Sequence, residues 1–280
     1  EAIEDFFESA MFNNWVATSA VAETLTLDAT TRKISRAAGS FVDEGVVVGD
    51  FLQLSGFTSA ANNTVVMVME VSALEITFAG PEGMSSEAGT GYQVCDKLSI
   101  GVDKQSLTIE KTFLDLTNKA IIYRGCLVSQ MDLNVEYGSL ISGSFQTQGT
   151  DYEPVDTAAD FASFGAAFKD AATTNSLNGS VDMPFTATDV TGVWTQDEFC
   201  LQSLNLSLNN NLTVQNCIGR AAPVDYSPGT AQITVDLSSY LRDSNWDMLA
   251  KKLSQSSFSI GYMAGNEGGW YGFYLPAVQV

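Results

Sequence analysis

The sequence predicts a mainly β fold, a β-sandwich or barrel with two flanking α-helices and a small inserted β-barrel-like module. Three observations predict this class. Polar and apolar residues alternate with a period of two over segments such as residues 131–137, which is typical of half-buried antiparallel strands. Glycines and small polar residues separate short apolar segments between residues 39 and 78, as in small barrels and sandwiches. Apolar residues at helical spacing, with matching end signals, mark residues 3–15 and 243–253.

The first predicted helix opens the chain. Acidic residues occupy its first turns, where the helix dipole favours them, and apolar residues recur at spacings of three and four. The apolar residues are Ile3, Phe6, Phe7, Ala10, Met11 and Trp15. Such a face docks either on the core of its own chain or on a neighbouring subunit. For the second case, the candidate inter-subunit contacts are Phe6, Phe7, Met11 and Trp15.

Residues 32–92 are predicted to form the small all-β inserted module. A glycine-rich loop at residues 80–91 ends it. Its expected strands lie at residues 45–50, 51–57, 65–71 and 74–78. Strands this closely spaced, with glycine at the turns, favour a small barrel or sandwich.

The main domain is predicted on both sides of this module. Residues 1–31 supply the N-terminal helix and the first strand, and residues 93–280 supply the rest, including a C-terminal helix and a closing hairpin around residues 265–269. Residues 151–192 suit either a helix or a long ordered loop, because helix-spaced phenylalanines occur among small and polar residues.

One predicted strand of the main domain has an entirely polar, uncharged face. Along residues 141–148, the side chains of Ser142, Ser144, Gln146 and Gln148 alternate with the remaining residues and share one side of the strand. Such a face tolerates water without attracting ions.

Composition excludes several classes of function. The chain has no histidine, which removes the commonest general base and zinc ligand. Its net charge of −20 disfavours binding to phosphate backbones. No apolar run is long enough for a membrane-spanning helix, so no membrane insertion by this chain is expected. Neither a calcium loop nor a phosphate-binding loop is present. We therefore expect no enzyme, no metal and no cofactor.

The four cysteines are far apart and lack metal-ligand spacing. They are Cys95, Cys126, Cys200 and Cys217. We interpret them as free thiols, with two disulfides in an extracellular protein as the alternative.

Two other functions fit parts of the sequence. A secreted carbohydrate-binding β-sandwich is the first, because Trp270, Tyr271, Phe273 and Tyr274 could form a platform for stacking sugars. An enzyme with paired carboxylates is the second, although no pair among the many acidic residues is distinguished by its surroundings.

Four segments together resemble the tail tube proteins of tailed bacteriophages of the siphovirus-like type. The first runs from Gly39 through residues 48–57 to Leu74 and resembles the small β-module of that family. The second, residues 107–115 followed by residues 123–129, resembles the strand pair after the module. The third is the opening helix at residues 5–15, and residues 204–219 resemble a later strand.

This resemblance implies a structural virion subunit of a tail-tube β-sandwich or barrel type. Subunits would form stacked hexameric rings, assembled in the host cytoplasm, as a conduit through which genomic DNA passes without specific binding. The partners would be further copies of the chain and other tail proteins at the ends of the tube. The polar strand face would line the lumen or the sheet of the ring. The inserted module would project outwards, which implies a long, non-contractile tail because a projecting domain would collide with a contractile sheath.

Overall fold

The computed structural model of the protein describes residues 2–81, 83–113, 115–117, 119–136, 141–156, 185–189, 192–194, 201–220, 222–240, 253–254, 257–266 and 269–279. The fold is mainly β, as predicted, with curled antiparallel sheets. In chain order, the elements are α1 (Ala2–Met11), β1 (Ala20–Val21), β2 (Leu25–Asp28), β3 (Lys33–Arg36), β4 (Phe51–Ser55), β5 (Val65–Val71), β6 (Glu75–Ala79), β7 (Glu87–Gly89), β8 (Gly91–Val94), β9 (Leu107–Phe113), β10 (Lys119–Glu136), β11 (Ser142–Gln148), β12 (Asp151–Val155), β13 (Phe185–Asp189), β14 (Gly192–Trp194), β15 (Leu201–Asn209), β16 (Thr213–Gln215), β17 (Asp225–Ser227), β18 (Gln232–Ser239), β19 (Phe258–Asn266) and β20 (Gly269–Val278).

The chain divides into two compact units. The first, the sheet unit, contains Glu1–Trp15, Leu98–Ser176 and Ser203–Leu237. The second, the barrel unit, contains Val16–Lys97, Leu177–Gln202 and Ser238–Val280.

The barrel unit contains an eight-stranded antiparallel sheet in the order β1-β8-β4-β5-β6-β3-β2-β7. Strand β7 ends this order and β8 is the second strand from the other end, beside β1, yet only Thr90 separates β7 from β8 in the chain. The segment of β7 and β8 therefore pairs with β2 at one part and with β4 at the other, and the strands β2 to β8 form a closed barrel. Closure leaves these strands without the free edges that an open sheet exposes.

A single apolar cluster fills this barrel. Every strand from β2 to β8 except β7 contributes a buried side chain, because alternate residues of a curled strand all point to the inside. The fully buried members, at 1% exposure or less, are Leu25, Leu27, Ile34, Phe41, Val46, Leu52, Leu54, Val66, Val68, Ile76 and Tyr92.

Two expectations about this region need correction. Residues 45–50 form turns and loop instead of a strand, since Gly45 and Gly49 adopt positive φ angles of 82° and 92° that break extended backbone. In addition, β2 pairs with β3 and β7 inside the barrel, although the sequence analysis grouped it with the N-terminal helix.

The sheet unit is organised around β10, an 18-residue strand. On one side, β11 and β12 follow β10 along most of its length as the return strand of a long hairpin. On the other side, β9 pairs with the first half of β10 and β15 with the second half, and β18 lies beyond β15. Residues at the two ends of β10 therefore belong to two differently composed sheets.

The barrel unit also holds a four-stranded sheet in the order β14-β13-β19-β20. The predicted closing hairpin is confirmed, since β19 pairs with β20 from Phe258 opposite Val278 to Asn266 opposite Gly269. Of the predicted second helix, only Leu253 lies among the described residues, and it is helical together with Ser254. Most of residues 151–192 likewise lies outside the described part, while β12, β13 and β14 occupy its ends.

Candidate assembly surfaces

The open sheet of the sheet unit has one apolar face, which α1 covers. Phe145 of β11 lies opposite Met131, and Met131 lies opposite Leu208, so that three strands present apolar side chains to the same side. The rings of Phe6 and Phe7 lie 5.3 and 5.5 Å from the ring of Phe145. Helix α1 therefore packs on the sheet of its own chain, as the amphipathic pattern predicts.

Buried hydrogen bonds fix α1 to this sheet. The side-chain amide of Asn210 donates to the carbonyl oxygen of Ala10 at 2.9 Å and to that of Val128 at 3.0 Å. The backbone N–H of Val128 donates to Oγ of Ser9 at 3.1 Å. Because Asn210 and Ser9 are almost completely buried, these bonds satisfy backbone groups that water does not reach. Sequence analysis missed both residues, since a single polar side chain in a strand or helix shows no periodic signal.

The helix ends at Met11, and this changes the placement of Trp15. Phe12 adopts a φ of 49°, a left-handed conformation that stops the helix, and its buried ring joins Leu127 and Tyr226 in a small cluster. Trp15 therefore does not continue the helical face on which it was predicted. Its backbone N–H donates to Glu8 at 2.9 Å, which folds the chain back towards the helix.

The four candidate interface residues differ in exposure. Phe7 is only 8% exposed and belongs to the interior of its own subunit, whereas Phe6, Met11 and Trp15 are half-buried. An inter-subunit role for the four residues stays a prediction, and the last three retain free surface for it.

The opposite face of the same sheet is polar. Three of the predicted residues, Ser142, Ser144 and Gln146, are exposed on β11. They lie opposite three polar residues of β10, which in turn lie opposite three polar residues of β15. The neighbours are Asn134, Asp132 and Gln130 on β10, and Asn205, Ser207 and Asn209 on β15. We call these nine residues the polar face.

The polar face contains one charge, the carboxylate of Asp132. Gln130 donates to its two oxygens at 3.0 and 2.9 Å, and Oγ of Ser207 donates at 2.6 Å. The charge is thus held in a hydrogen-bond network, and the other eight residues of the face are uncharged. The alternation of polar residues in each strand was visible in the sequence, but only the strand register aligns them into one surface.

Gln148 departs from this surface. A bulge in β10 between Val128 and Gln130 shifts the register, so that Gln148 lies opposite the buried Leu127. Gln148 is half-buried, and its Oε1 is buried without a hydrogen-bond partner in the described part of the chain. A bulge adds one residue to one strand and bends it, which a strict period of two does not anticipate.

The sheet unit also has free strand edges. Among the described residues, β11 and β12 pair only with β10, and β18 pairs only with β15. Within the described ranges, both outer edges of the sheet therefore present backbone groups without a strand partner, and such groups are able to pair with a strand of another chain.

The aromatic residues near the end of the chain do not form one sugar-stacking platform. The ring of Phe273 stacks on Tyr262 at 4.9 Å, and that of Tyr274 packs against Gly49. Neighbouring residues of a strand point to opposite faces, so the two rings lie on different sides of β20.

An ion pair joins the buried side chain of Arg36 to the partly exposed side chain of Glu44 in the barrel unit. Nη1 of Arg36 lies 2.9 Å from both carboxylate oxygens of Glu44, and its guanidinium carbon lies 4.1 Å from the ring centre of Phe41. The hydroxyl of Tyr92 also donates to Glu44. The hydrogen bond from Arg36 holds the pKa of Glu44 below its ordinary value, and burial raises the pKa of Tyr92.

Three cysteines in the described part are free, in agreement with the prediction: Cys95, Cys126 and Cys217. Burial raises the pKa of the Cys95 thiol to about 11 and also raises that of Cys126. Cys200 lies outside the described residues. Over the described residues, no group of acidic or cysteine side chains is arranged to hold a metal ion. The helices described are also too short or too polar to cross a membrane.

An open sheet with free edges, one face covered by a helix and one face polar, has the features of a structural subunit that assembles with other chains. The family model for phage tail tube proteins matches residues 2–275, and the chain therefore belongs to the phage tail tube protein family. A search of curated proteins gives no match. The chain is a structural component of the virion, and it assembles into a tube together with other tail proteins.

Proposed function

We propose that six copies of this chain close into a ring and that the rings stack into the tube of a long, non-contractile tail. The tube is assembled in the host cytoplasm and conducts genomic DNA during its delivery. The observation that carries this proposal is the open sheet of the sheet unit, which combines an exposed polar face with two edges that pair with no other described strand.

The free edges explain how a ring would close. The edge formed by β11 and β12 in one copy meets the edge formed by β18 in the next copy, so that the sheets continue from subunit to subunit. This head-to-tail contact uses two different surfaces, and a contact of that kind forms a ring when the rotation between copies closes. Ring closure satisfies every edge in the same way that a barrel does.

The polar face would then line the lumen. Its serine, asparagine and glutamine side chains hydrogen-bond to water and carry no positive charge that would hold a phosphate backbone. Each chain has a net charge of −20, so six copies carry about −120, and repulsion of like charges keeps DNA away from the wall. DNA passes such a lumen without specific binding.

The outer contacts of α1 complete the proposed interface. Phe6 and Met11 on the helix, with Trp15 after it, are half-buried within the subunit and leave aromatic and apolar surface for a neighbouring copy. Phe7 is buried within the subunit, where its ring contacts Phe145 and holds the helix on the sheet.

The barrel is proposed to project from the outside of the tube. Support comes from its closed set of strands, which cannot join a continuous sheet by edge pairing. A projecting barrel leaves no space for a sheath that contracts along the tube. Micrographs of the phage that show a contracted sheath would contradict this part of the proposal.

Negative-stain electron microscopy of the purified chain at rising concentration tests the central proposal. We expect rings with sixfold symmetry and tubes, formed more readily at higher salt because salt screens repulsion between the acidic subunits. A protein that stays monomeric at millimolar concentration would contradict the proposal. Rings of another symmetry would contradict the number of six copies in each ring, but not the assembly into a tube.

A further inference from the structure

The first part of β10, together with β9 and β12, forms a three-stranded arm whose two faces differ in composition. We define the arm as β9 at residues 109–113, β10 at residues 119–124 and β12. Residues directly opposite one another in antiparallel strands share a face, and alternate residues change face. The strand register therefore sorts every position of the arm to one side or the other.

One side of the arm contains small and acidic residues around a minor core. Ala120, Ile122 and Val155 are buried together. Three carboxylates lie at positions of the same face, and Arg124 pairs with Glu153 at 2.9 Å.

The other side, which we call the lysine face, is apolar and basic. Its basic residues are Lys111 and Lys119, and its one carboxylate is that of Asp156, which follows β12 and pairs with Lys119. Its apolar members are Ile109, Phe113, Ile121, Tyr123, Tyr152 and Pro154. Tyr152 is 69% exposed, and Ile109, Ile121 and Tyr123 are half-buried. An exposed sheet face of this composition is typical of an interaction surface.

The two lysines differ in whether an acidic residue of the same chain pairs with them. Nζ of Lys119 lies 2.6 Å from the carboxylate of Asp156, just beyond the strand, so its charge is compensated. Lys111 takes part in none of the ion pairs found among the described residues, and its Nζ lies 5.5 Å from the ring centre of Phe113 on the same face. Lys111 thus offers one uncompensated positive charge within an aromatic and apolar surrounding.

We infer that the lysine face binds an acidic surface of a second copy of this chain. The charge complementarity is the reason for choosing this occupant. The chain has 33 acidic and 13 basic residues, so its net charge is −20, and a patch with a net positive charge from Lys111 is attracted to acidic surface of another copy. The inference rests on the proposed assembly of copies into a tube, and it adds a contact beyond pairing of strand edges.

Two substitutions on the lysine face test the inference against one on the opposite face. Lys111→Gln removes one positive charge, and Tyr152→Ser removes exposed aromatic surface without opening the core. Thr112→Glu, at the neighbouring exposed position on the opposite face, makes the same change of one charge unit and is the matched control. Circular dichroism first establishes that each variant is folded.

We expect the concentration for half-maximal assembly, measured by sedimentation and electron microscopy, to rise about tenfold for Lys111→Gln together with Tyr152→Ser and to stay near the wild-type value for Thr112→Glu. The concentration for half-maximal assembly should differ less between wild type and Lys111→Gln at high salt, because salt screens the attraction of Lys111 to carboxylates. If the double variant assembles like wild type, the inference is overturned while the tube remains. If the wild type itself does not assemble, the proposed function fails.

Cross-linking gives a second result that does not depend on the folding of a variant. A mixture of ¹⁴N- and ¹⁵N-labelled wild-type protein is assembled and treated with a carbodiimide, which joins amines to carboxylates in direct contact. We expect peptides of mixed isotope composition that link Lys111 to an acidic residue. Links of Lys111 found only within one chain would overturn the inference.

Discussion

The barrel and the open sheet of this chain differ in how far their strand edges are paired within the chain. In the barrel, the segment of β7 and β8 pairs with β2 and with β4 and so closes the sheet, and a single apolar cluster fills the inside. In the sheet unit, neither outer edge pairs with another strand of the described part of the chain, and one broad face is polar. The comparison teaches that one region is complete within a single chain, while the other gains its missing partners from further copies.

The largest expected effect is a loss of stability when the barrel interior is truncated. Leu54 is fully buried, and Leu54→Ala removes apolar contacts and leaves a cavity, so we expect a loss of about 3 kcal/mol in the free energy of unfolding. Leu74→Ala, the same substitution at a residue that is 45% exposed in the same region, should cost less than about 1 kcal/mol. Urea denaturation of the subunit measures both. Equal losses would mean that the barrel interior is not closely packed.

A second prediction concerns the joint between α1 and the open sheet. Asn210→Ala removes two buried hydrogen bonds, to the carbonyl oxygens of Ala10 and Val128, so we expect a loss of about 2 kcal/mol in the free energy of unfolding. Asn205→Ala, on the exposed polar face, is the control and should change stability by less than about 0.5 kcal/mol. The same denaturation experiment applies. If Asn210→Ala leaves the free energy of unfolding unchanged, water must replace the hydrogen bonds of the amide.

The third prediction gives the barrel a dependence on pH. The pKa of Glu44 is lowered in the folded state, so its ion pair with Arg36 stabilises the barrel above the ordinary pKa of 4.5, and this contribution is lost as pH falls through the lowered value. At pH 7, Glu44→Gln should cost about 1 kcal/mol, since the side chain of Arg36 is fully buried and loses its charged partner.

Urea denaturation is repeated from about pH 6 down to about pH 3. The difference in the free energy of unfolding between wild type and Glu44→Gln should become smaller as the pH falls. Glu70→Gln, at an exposed position of β5, is the control for the loss of one carboxylate and should change stability by less than about 0.5 kcal/mol. A difference that stays constant over this range would rule out the ion pair as its source.

The smallest expected effect on stability belongs to the polar face. Ser144 is exposed, so Ser144→Lys should change the free energy of unfolding by less than about 0.5 kcal/mol. In an assembled tube, however, it would place six positive charges around the proposed lumen, and these should bind DNA in a manner that weakens with salt. Thr26→Lys, at an exposed position of β2 in the barrel, makes the same change of one charge unit and is the control for added charge. DNA that binds neither tube would argue that Ser144 does not face the lumen.

The sequence predicted elements well where the periodic pattern is strong and local. Helix α1, the strand at residues 131–136 and the closing hairpin are confirmed, because each depends on side chains that follow one another along the chain. The closed barrel was predicted as a small barrel or sandwich, but its closure through Thr90 was not visible. Which strand pairs with which depends on contacts between distant residues.

The errors also have local physical causes. Trp15 left the helical face because Phe12 adopts a left-handed conformation that the apolar spacing does not reveal. Gln148 left the polar face because of the bulge beside Ser129. The row of polar residues shared by three strands could be assembled only from their register, although each strand showed its own alternation.

Two glycines in the barrel unit have a consequence for the divergence of related chains. The ring of Tyr274 occupies the place where residue 49 would carry its first side-chain carbon, and the ring of Phe51 does the same at Gly272. The glycine of such a pair cannot gain a side chain without steric conflict while its aromatic partner is retained. When more members of this lineage are sequenced, each glycine should covary with its aromatic partner, and a relative that bears a side chain at one of these sites should have a smaller residue at the other.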